Sequence, residues 1–472
     1  WCTVNLAREL RKRKQNVIII NSNPETVSTD YDESERLYFE PLSFERVADI
    51  LDYEQCTGTI VSVGGQAANN LVTKLEALNY PLLGTSAENI NRAEDRQLFS
   101  QLLHDCEIDQ PAWINAANQQ QIDEFITQVN FPLLVRPSYV LSGSAMKVAS
   151  SKADLETYLT TATRVSPNNS VVISEFITEA KEIDVDGVAR NGEIIFLAIA
   201  EHLEQAGVHS GDATLIYPAQ NLSSETKSKI KQISQKIAAQ LNIHGPFNLQ
   251  IIEKHDQLKV IECNVRSSRS FPFISKVSGC NLISLVSDIL LGQPSNEVIP
   301  ELLATKVAVK TPVFSYNRFK GADPVAQVEM ASTGEVACIG SNLLETFYQS
   351  WQTVGQKVGG KRILLTAANL DPEFIGILQQ MSQANWQINA YGATFVHLDS
   401  ANVKLTNCGE NALESIAQNK FDLIINIPVN IYDAHQDRAE FTLRRQAIDY
   451  HIPLVTNQNI ARMLLKCLLN NN

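Results

Sequence analysis

At 472 residues the chain is too long for one ordinary domain and implies roughly three of about 150 residues each. Its 44% apolar and 19% charged content, with 21 Gly and 17 Pro, excludes a disordered or collagen-like chain. A net charge of −13 argues against a general nucleic-acid binder, so no nucleic-acid partner is expected. The basic run from Arg8 to Lys14 reads as the solvated face of an amphipathic helix.

Eight cysteines are scattered with no C-x-x-C pair, which predicts reduced thiols in a cytoplasmic setting rather than a disulfide framework or a zinc site. The longest strongly apolar run, 194–200, falls far short of the roughly 18 residues a membrane span needs, so no membrane partner is expected. No secretory signal opens the sequence.

Residues 3–14 predict a helix, with Val4, Leu6, Ala7 and Leu10 as its apolar stripe. The β-branched run at 17–21 predicts a strand buried on both faces. A helix feeding such a strand usually follows an earlier strand in a βαβ unit. The chain starts at Trp1 with none, so a fragment lacking its first strand is expected. A helix near 43–54, a strand at 59–63, a helix near 66–78 and a strand at 81–83 continue an α/β pattern on a parallel sheet.

Between 100 and 292 the pattern becomes α+β. Strands are predicted at 133–136, 170–174, 183–189, 194–201, 247–252 and 258–264, with a helix at 224–241. Residues 293–355 read as a connecting region. The stretch from Gly355 to Arg362 lacks the Gly-Lys-Ser/Thr ending of a phosphate loop and reads as a linker. Alternation restarts with strands at 363–366, 387–389, 423–426 and 454–456, and helices at 372–384, 410–417 and 438–450. That is a compact α/β domain.

Four segments could carry chemistry. In Lys259-Val-Ile-Glu262-Cys-Asn264-Val-Arg266, a period of two puts Val260, Glu262, Asn264 and Arg266 on one face and Ile261, Cys263 and Val265 on the other. A carboxylate, an amide and a guanidinium on one face are costly to bury without a partner, and a magnesium–nucleotide complex would supply one; an exposed edge strand is the alternative. Gln250 adds a third oxygen if the two strands form a hairpin over Lys254-His-Asp-Gln257. Glu182, Asp184 and Asp186 share one face of another strand, which is either solvated or matched by cations and donors. Glu201-His202-Leu-Glu204-Gln205-Ala-Gly207-Val-His209-Ser210-Gly211-Asp212 reads as a loop whose N–H groups could face an anion. Arg136, at a strand end, precedes a turn containing Ser142, Gly143 and Ser144, which is either a phosphate cover or a plain hairpin.

Together these segments resemble the carbamoyl phosphate synthetase large chain, specifically its C-terminal half. The matching phrases are Asn23-Pro-Glu-Thr-Val-Ser-Thr-Asp-Tyr-Asp32, Arg92-Ala-Glu-Asp-Arg96, Arg136-Pro-Ser-Tyr-Val-Leu141, Glu204-Gln-Ala-Gly-Val-His-Ser-Gly-Asp212, Ile261-Glu-Cys-Asn-Val-Arg266 and Glu329-Met-Ala-Ser-Thr-Gly-Glu335. The resemblance implies a Rossmann-like pre-ATP-grasp domain at 1–99, an ATP-grasp domain at 100–292, a connecting region at 293–355 and a methylglyoxal-synthase-like effector domain at 356–472.

It further implies an ATP site formed by Arg136, Glu175, Ile177, Glu182, Gly207, Val208, His209, Ser210, Gln250 and Glu262. Mg²⁺ or Mn²⁺ would sit on Gln250, Glu262 and Asn264, and Arg266 and Arg269 would act with Asn264 on the phosphoryl group and carbamate. K⁺ would sit near Glu182, His202, Gln205 and Val208. The implied reaction is phosphorylation of carbamate to carbamoyl phosphate, serving pyrimidine or arginine synthesis. The implied partners are an N-terminal synthetase half, a glutaminase and further copies in an oligomer. A nucleotide-type allosteric effector would bind near Thr394 and Asn426. In ornithine-activated bacterial relatives a Glu follows the segment matching Val309-Lys310; here that position is Thr311. The competing readings are a different ATP-grasp ligase and a nucleotide-sensing regulatory fragment without catalysis.

Overall fold

The computed structural model describes every residue except 117, 138–145, 166–170, 296, 298–305, 320, 368, 429–437 and 471–472. The chain divides into two compact units. Unit 1 comprises Trp1–Gln110, Glu182–Glu201 and Tyr217–Thr305; unit 2 comprises Pro111–Lys181, His202–Ile216 and Lys306–Asn472. The stretch expected as one domain over 100–292 is thus shared between two units.

Unit 1 opens on the helix Cys2–Lys12, which buries Val4, Leu6, Ala7 and Leu10 as its stripe predicts. A short parallel pair follows, Ile18–Ile20 against Arg36–Tyr38. The strands expected at 59–63 and 81–83 shrink to one parallel bridge between Thr59 and Leu82. Its bonds run from Thr59 N to Pro81 O at 2.8 Å and from Leu83 N to Thr59 O at 2.9 Å. Gly65, at φ +71°, turns the chain away directly after this segment, and Pro81 has no N–H to extend the ladder. The single helix expected near 66–78 is two, Gly65–Asn69 and Val72–Ala77.

Unit 1 holds most of β1 (Lys181–Arg190) and β2 (Glu193–Gln205) and all of β3 (Gly245–Lys254) and β4 (Gln257–Asn264), which run in the order β4-β3-β1-β2 within a seven-stranded sheet. His255 and Asp256, at φ 53° and 64°, close the β3–β4 hairpin in the left-handed conformation that suits a two-residue turn. One side of the sheet packs Ile183, Val185, Phe247, Leu249, Val260 and Cys263 against Phe99, Leu103, Ile230 and Ile237. The helix Ser224–Gln240 supplies the last two, and Ser223 caps it by accepting from Thr226 N at 3.0 Å.

Unit 2 holds a four-stranded sheet of Trp113–Ala116, Leu133–Pro137, Lys147–Ala149 and Val171–Glu175, with a core around Leu133, Val135, Leu155 and Ile173. The region expected only to connect is partly regular: Val307–Val313 and Gly334–Gly340 form an antiparallel hairpin, followed by the helix Leu343–Thr353. The C-terminal segment forms a five-stranded parallel sheet. Its order is Thr406–Asn407, Gln387–Ala390, Arg362–Ala367, Leu423–Ile427, Leu454–Val455. Two helices join the expected ones, Gly392–Ser400 and Gln458–Asn470.

The eight cysteines are free thiols, and burial raises the pKa of several, Cys280 to about 11 and Cys467 to about 12. Among the described residues no single helix is long and apolar enough to cross a membrane.

Candidate functional site

The hairpin expected between Gln250 and Glu262 forms. Asn248 stands opposite Asn264, and Gln250 opposite Glu262, in antiparallel register. Strict alternation fails at one point, because the register shifts between Gln250 and Ile251: Ile251 pairs with Val260, which leaves Ile261 as an extra residue on β4. This bulge corrects the assignment of faces. Val260 is fully buried beside Cys263 and Val265 in the core, while Ile261 is only half-buried. A bulge inserts one residue and flips the pleat, so Glu262 and Asn264 keep the polar side while Val260 changes over.

On that polar side the groups are bonded to one another. Asn264 Nδ2 donates to Glu262 Oε1 at 2.8 Å, and its Oδ1 accepts from Arg266 Nη2 at 3.3 Å. Arg266 Nε donates to Gln66 Oε1 at 3.2 Å, and Arg266 Nη1 donates to Ser267 O at 3.3 Å. Gln66 is held in turn by Glu94 Oε1 at 3.0 Å. No sequence signal singled out Gln66, because its contact with Arg266 spans 200 positions.

Among the described residues no cluster of three His, Cys, Asp or Glu side chains has a metal-holding arrangement. Gln250, Glu262 and Asn264 instead offer one carboxylate and two amide oxygens. That hard-oxygen set suits Mg²⁺ or Mn²⁺ when phosphates and water complete the shell.

The acidic strand is buried, not solvated: Glu182, Asp184 and Asp186 are 5%, 3% and 1% exposed. Asp186 Oδ1 accepts from Asn248 Nδ2 at 3.2 Å and from Ser268 Oγ, and its Oδ2 accepts from Ser270 Oγ at 2.5 Å. Burial first, and the neighbouring Asp184 charge second, push Asp186 up to about 6. Arg269 lies half-buried between the two serines.

The other expected nucleotide residues, apart from Glu182, fall in unit 2. Arg136 lies on the strand Leu133–Pro137, facing Val172 in register. Glu175 ends a neighbouring strand, its Oε2 accepting from Ala112 N at 3.2 Å, and Ile177 follows it. The turn at 142–144 lies outside the described residues.

The loop of Gly207, Val208, His209 and Ser210 has a defined shape. Gly207 takes φ +112°, and His209 N donates to Gln327 O at 2.8 Å. His209 Nδ1 accepts from Gly211 N at 3.0 Å, which leaves the ring proton on Nε2. Beside it, Asp212 accepts from Ala331 N at 2.7 Å and Ser332 N at 3.0 Å. Glu204 accepts from Thr214 N at 2.7 Å and Thr214 Oγ1 at 3.0 Å, and burial raises its pKa. Glu204, Asp212 and Thr311 line a cavity of about 970 Å³ within unit 2 that also touches Lys357 and His451.

Thr394 and Asn426, expected to meet an effector, are 7% and 0% exposed. Thr394 Oγ1 exchanges bonds with the backbone of Ala367, both at 3.0 Å. Asn426 Nδ2 donates to Thr366 Oγ1 at 2.6 Å, and its Oδ1 accepts from Arg444 Nη1 at 2.8 Å. Both lie at the C-terminal end of the parallel sheet, where open α/β sheets hold ligands.

Comparison with known proteins matches two domains in this chain. Residues 1–92 match the carbamoyl phosphate synthase preATP-grasp domain, and residues 95–298 match the ATP binding domain of the carbamoyl-phosphate synthase L chain. The chain is 42% identical over 489 residues to multifunctional protein ura1 of Schizosaccharomyces pombe, aligning over 100% of this chain and 22% of that protein. It is 41% identical over 481 residues to human mitochondrial carbamoyl-phosphate synthase [ammonia], covering 98% of this chain and 32% of that one. The chain therefore spans between about a fifth and a third of the length of the curated relatives it matches.

Two solved structures share the fold at low identity. The biotin carboxylase domain of Hydrogenobacter thermophilus 2-oxoglutarate carboxylase gives a TM-score of 0.61 at 12% identity, over 75% of this chain and 87% of that one. Staphylococcus aureus N5-carboxyaminoimidazole synthetase gives 0.57 at 16% identity, over 75% and 94%. The chain matches the pre-ATP-grasp and ATP-grasp domains of multifunctional, carbamoyl-phosphate-synthase-type proteins, with the ATP-grasp fold that biotin carboxylases share.

Proposed function

We propose that the chain is the C-terminal synthetase half of such a protein and phosphorylates carbamate to carbamoyl phosphate at the expense of ATP. The observation behind this reading is the bulged β3–β4 hairpin, which links Glu262, Asn264 and Arg266 in one polar network and sets Gln250 opposite Glu262 in register. The relatives' names include carbamoyl-phosphate synthase, and the 2-oxoglutarate carboxylase domain was solved with MgADP and bicarbonate.

In the proposed reaction a carbamate oxygen forms a bond to the γ-phosphorus while the bond to the β,γ-bridging oxygen breaks. ADP leaves with that electron pair. Carbamate is already an anion, so no strong general base is needed, and in-line positioning with charge neutralisation supplies most of the catalysis. Gln250, Glu262 and Asn264 would hold Mg²⁺ or Mn²⁺, which offsets phosphate charge when bound. Arg266 is held by Asn264, Gln66 and the Ser267 carbonyl, and the second hydrogens of its two terminal nitrogens would serve the transferring group together with Arg269.

Nucleotide contacts by Arg136, Glu175, Ile177, Glu182 and residues 207–210, a K⁺ site, an N-terminal half, a glutaminase and an effector domain over 356–472 belong to the same reading. Their support is the family resemblance and the much greater length of the relatives. The test is ATP formation from carbamoyl phosphate and MgADP by this chain. Formation of ATP supports the reading, and its absence with correctly folded protein that binds MgADP would remove it.

A further inference from the structure

We propose that Asp186 is a positioning residue for Arg269, acting through the two serines that bracket it; the inference rests on the phosphoryl-transfer reading above. Asp186 projects from β1 and is 1% exposed. Its two oxygens are divided between the serines, Oδ1 taking the Ser268 hydroxyl and Oδ2 the Ser270 hydroxyl. The serine oxygens lie 3.0 Å apart, so the backbone carrying Arg269 is pinned on both sides by one carboxylate. Asn248 Nδ2 steadies the carboxylate at 3.2 Å, and Asn248 stands opposite Asn264 in the hairpin register. The loop is also tied one residue earlier, where Ser267 N donates to Ser62 O at 2.8 Å.

The arrangement is an expensive way to hold a loop. A carboxylate is desolvated beside a second one, Asp184, and Asn248 Nδ2 lies within 3.5 Å of Asp184 as well. An amide at 186 would fill the same space without the charge. An ionised carboxylate, however, only accepts, so it forces both serine hydroxyls to point inward at once. An amide accepts at one end and donates at the other, so one serine must turn round. The carboxylate is what makes the two-sided grip possible. Misplacing a transition-state donor by a fraction of an ångström is where such a grip acts on rate.

The experiment is a double-mutant cycle on the full chain with ATP formation from carbamoyl phosphate and MgADP as readout. Asp186→Asn is expected to lower kcat about tenfold, leave the KM for MgADP within about twofold and leave the melting temperature unchanged or higher. In an Arg269→Ala background the same substitution is expected to change kcat by less than about twofold. Ser268→Ala/Ser270→Ala should reproduce the kcat loss and its disappearance without Arg269, and it carries the test if Asp186→Asn does not fold. Losses that add to that of Arg269→Ala, or that track a falling melting temperature, would overturn the proposal, as would unaltered kcat in both variants. Wild-type kinetics in Arg269→Ala alone would instead overturn the role of Arg269 in the underlying reaction.

Discussion

Gln250 and Glu262 face each other across the β3–β4 hairpin at the last register position before the ladder slips by one residue at Ile261. The bulge lets one short strand serve two masters: Val260, Cys263 and Val265 seal the core, while Glu262 and Asn264 stay half-buried on the polar side. Bulges of this kind re-aim side chains beside sites of chemistry.

Glu262→Ala and Asn264→Ala are each expected to abolish ATP formation from carbamoyl phosphate, by about a hundredfold or more, with the fold retained. Both side chains are half-buried, and their bonds are to each other and to Arg266, so neither supports the core. Circular dichroism and thermal melts check the fold alongside the assay. Wild-type turnover in either variant would end the metal assignment.

Arg266→Lys is expected to lower turnover at least tenfold, ~1.4 kcal/mol of transition-state stabilisation. Arg266 uses three separate nitrogens to reach Gln66, Ser267 and Asn264, a spread that a single ammonium cannot reproduce. Arg269→Lys should show a similar loss. Steady-state kinetics with carbamoyl phosphate varied at saturating MgADP separates a kcat effect from weaker binding, and unchanged constants in both variants would remove the pair from the site.

Much of this was legible from the residues alone. The Glu262, Asn264, Arg266 spacing and the His255-Asp256 turn announced the hairpin, because period two and left-handed turn residues are local properties. The slip at Ile261 was not legible, since a bulge depends on what the partner strand and the core require. The acidic run at Glu182, Asp184 and Asp186 looked equally able to face water. Only the placement of Asn248, Ser268 and Ser270, more than 60 positions away, shows why Asp186 is buried. The helix Gln458–Asn470 is a different kind of miss. Ala461, Leu464, Leu465 and Leu468 lie at helical spacing and are buried, so its signal was present in the sequence.

Stability should carry the mark of Asp186 in its pH dependence. Its pKa is raised to about 6 from a usual 3.8, so between those values the folded chain holds a proton that the unfolded chain has released. With more protons bound in the folded state, this group's contribution to stability falls as pH rises through that window. Asp186→Asn removes the dependence. The variant's melting temperature relative to wild type should therefore climb from near equality at about pH 4 to its full margin above about pH 6. A margin that is flat or shrinks with pH would show that the carboxylate is not strained by burial.

Ornithine is expected to bind this chain poorly. The cavity lined by Glu204, Asp212 and Thr311 has two carboxylates among its described lining residues, and both are already engaged. Asp212 takes two backbone N–H groups at residues 331 and 332, and Glu204 takes the N–H and hydroxyl of Thr214. Burial also raises the pKa of Glu204, which weakens it as a counter-ion for an ammonium group. Thr311 stands where the family resemblance implies a glutamate in ornithine-activated members, and its hydroxyl is bonded to that of Ser350 at 2.6 Å. An ammonium group entering there would give up water for partners that are neutral or occupied, an unfavourable exchange. At the C-terminal end of the parallel sheet a phosphorylated ligand has a cation to compete for: Arg444 is buried there against Asn426 and ion-paired with the carboxylate of Asp323. Calorimetry on the full chain with ornithine, UMP, UTP, IMP and phosphoribosyl pyrophosphate separates the two cases. The expected result is heat from at least one phosphorylated ligand and none from millimolar ornithine. Tight ornithine binding with silence from all the others would mean that the engaged carboxylates are released on binding and that Thr311 does not decide the choice.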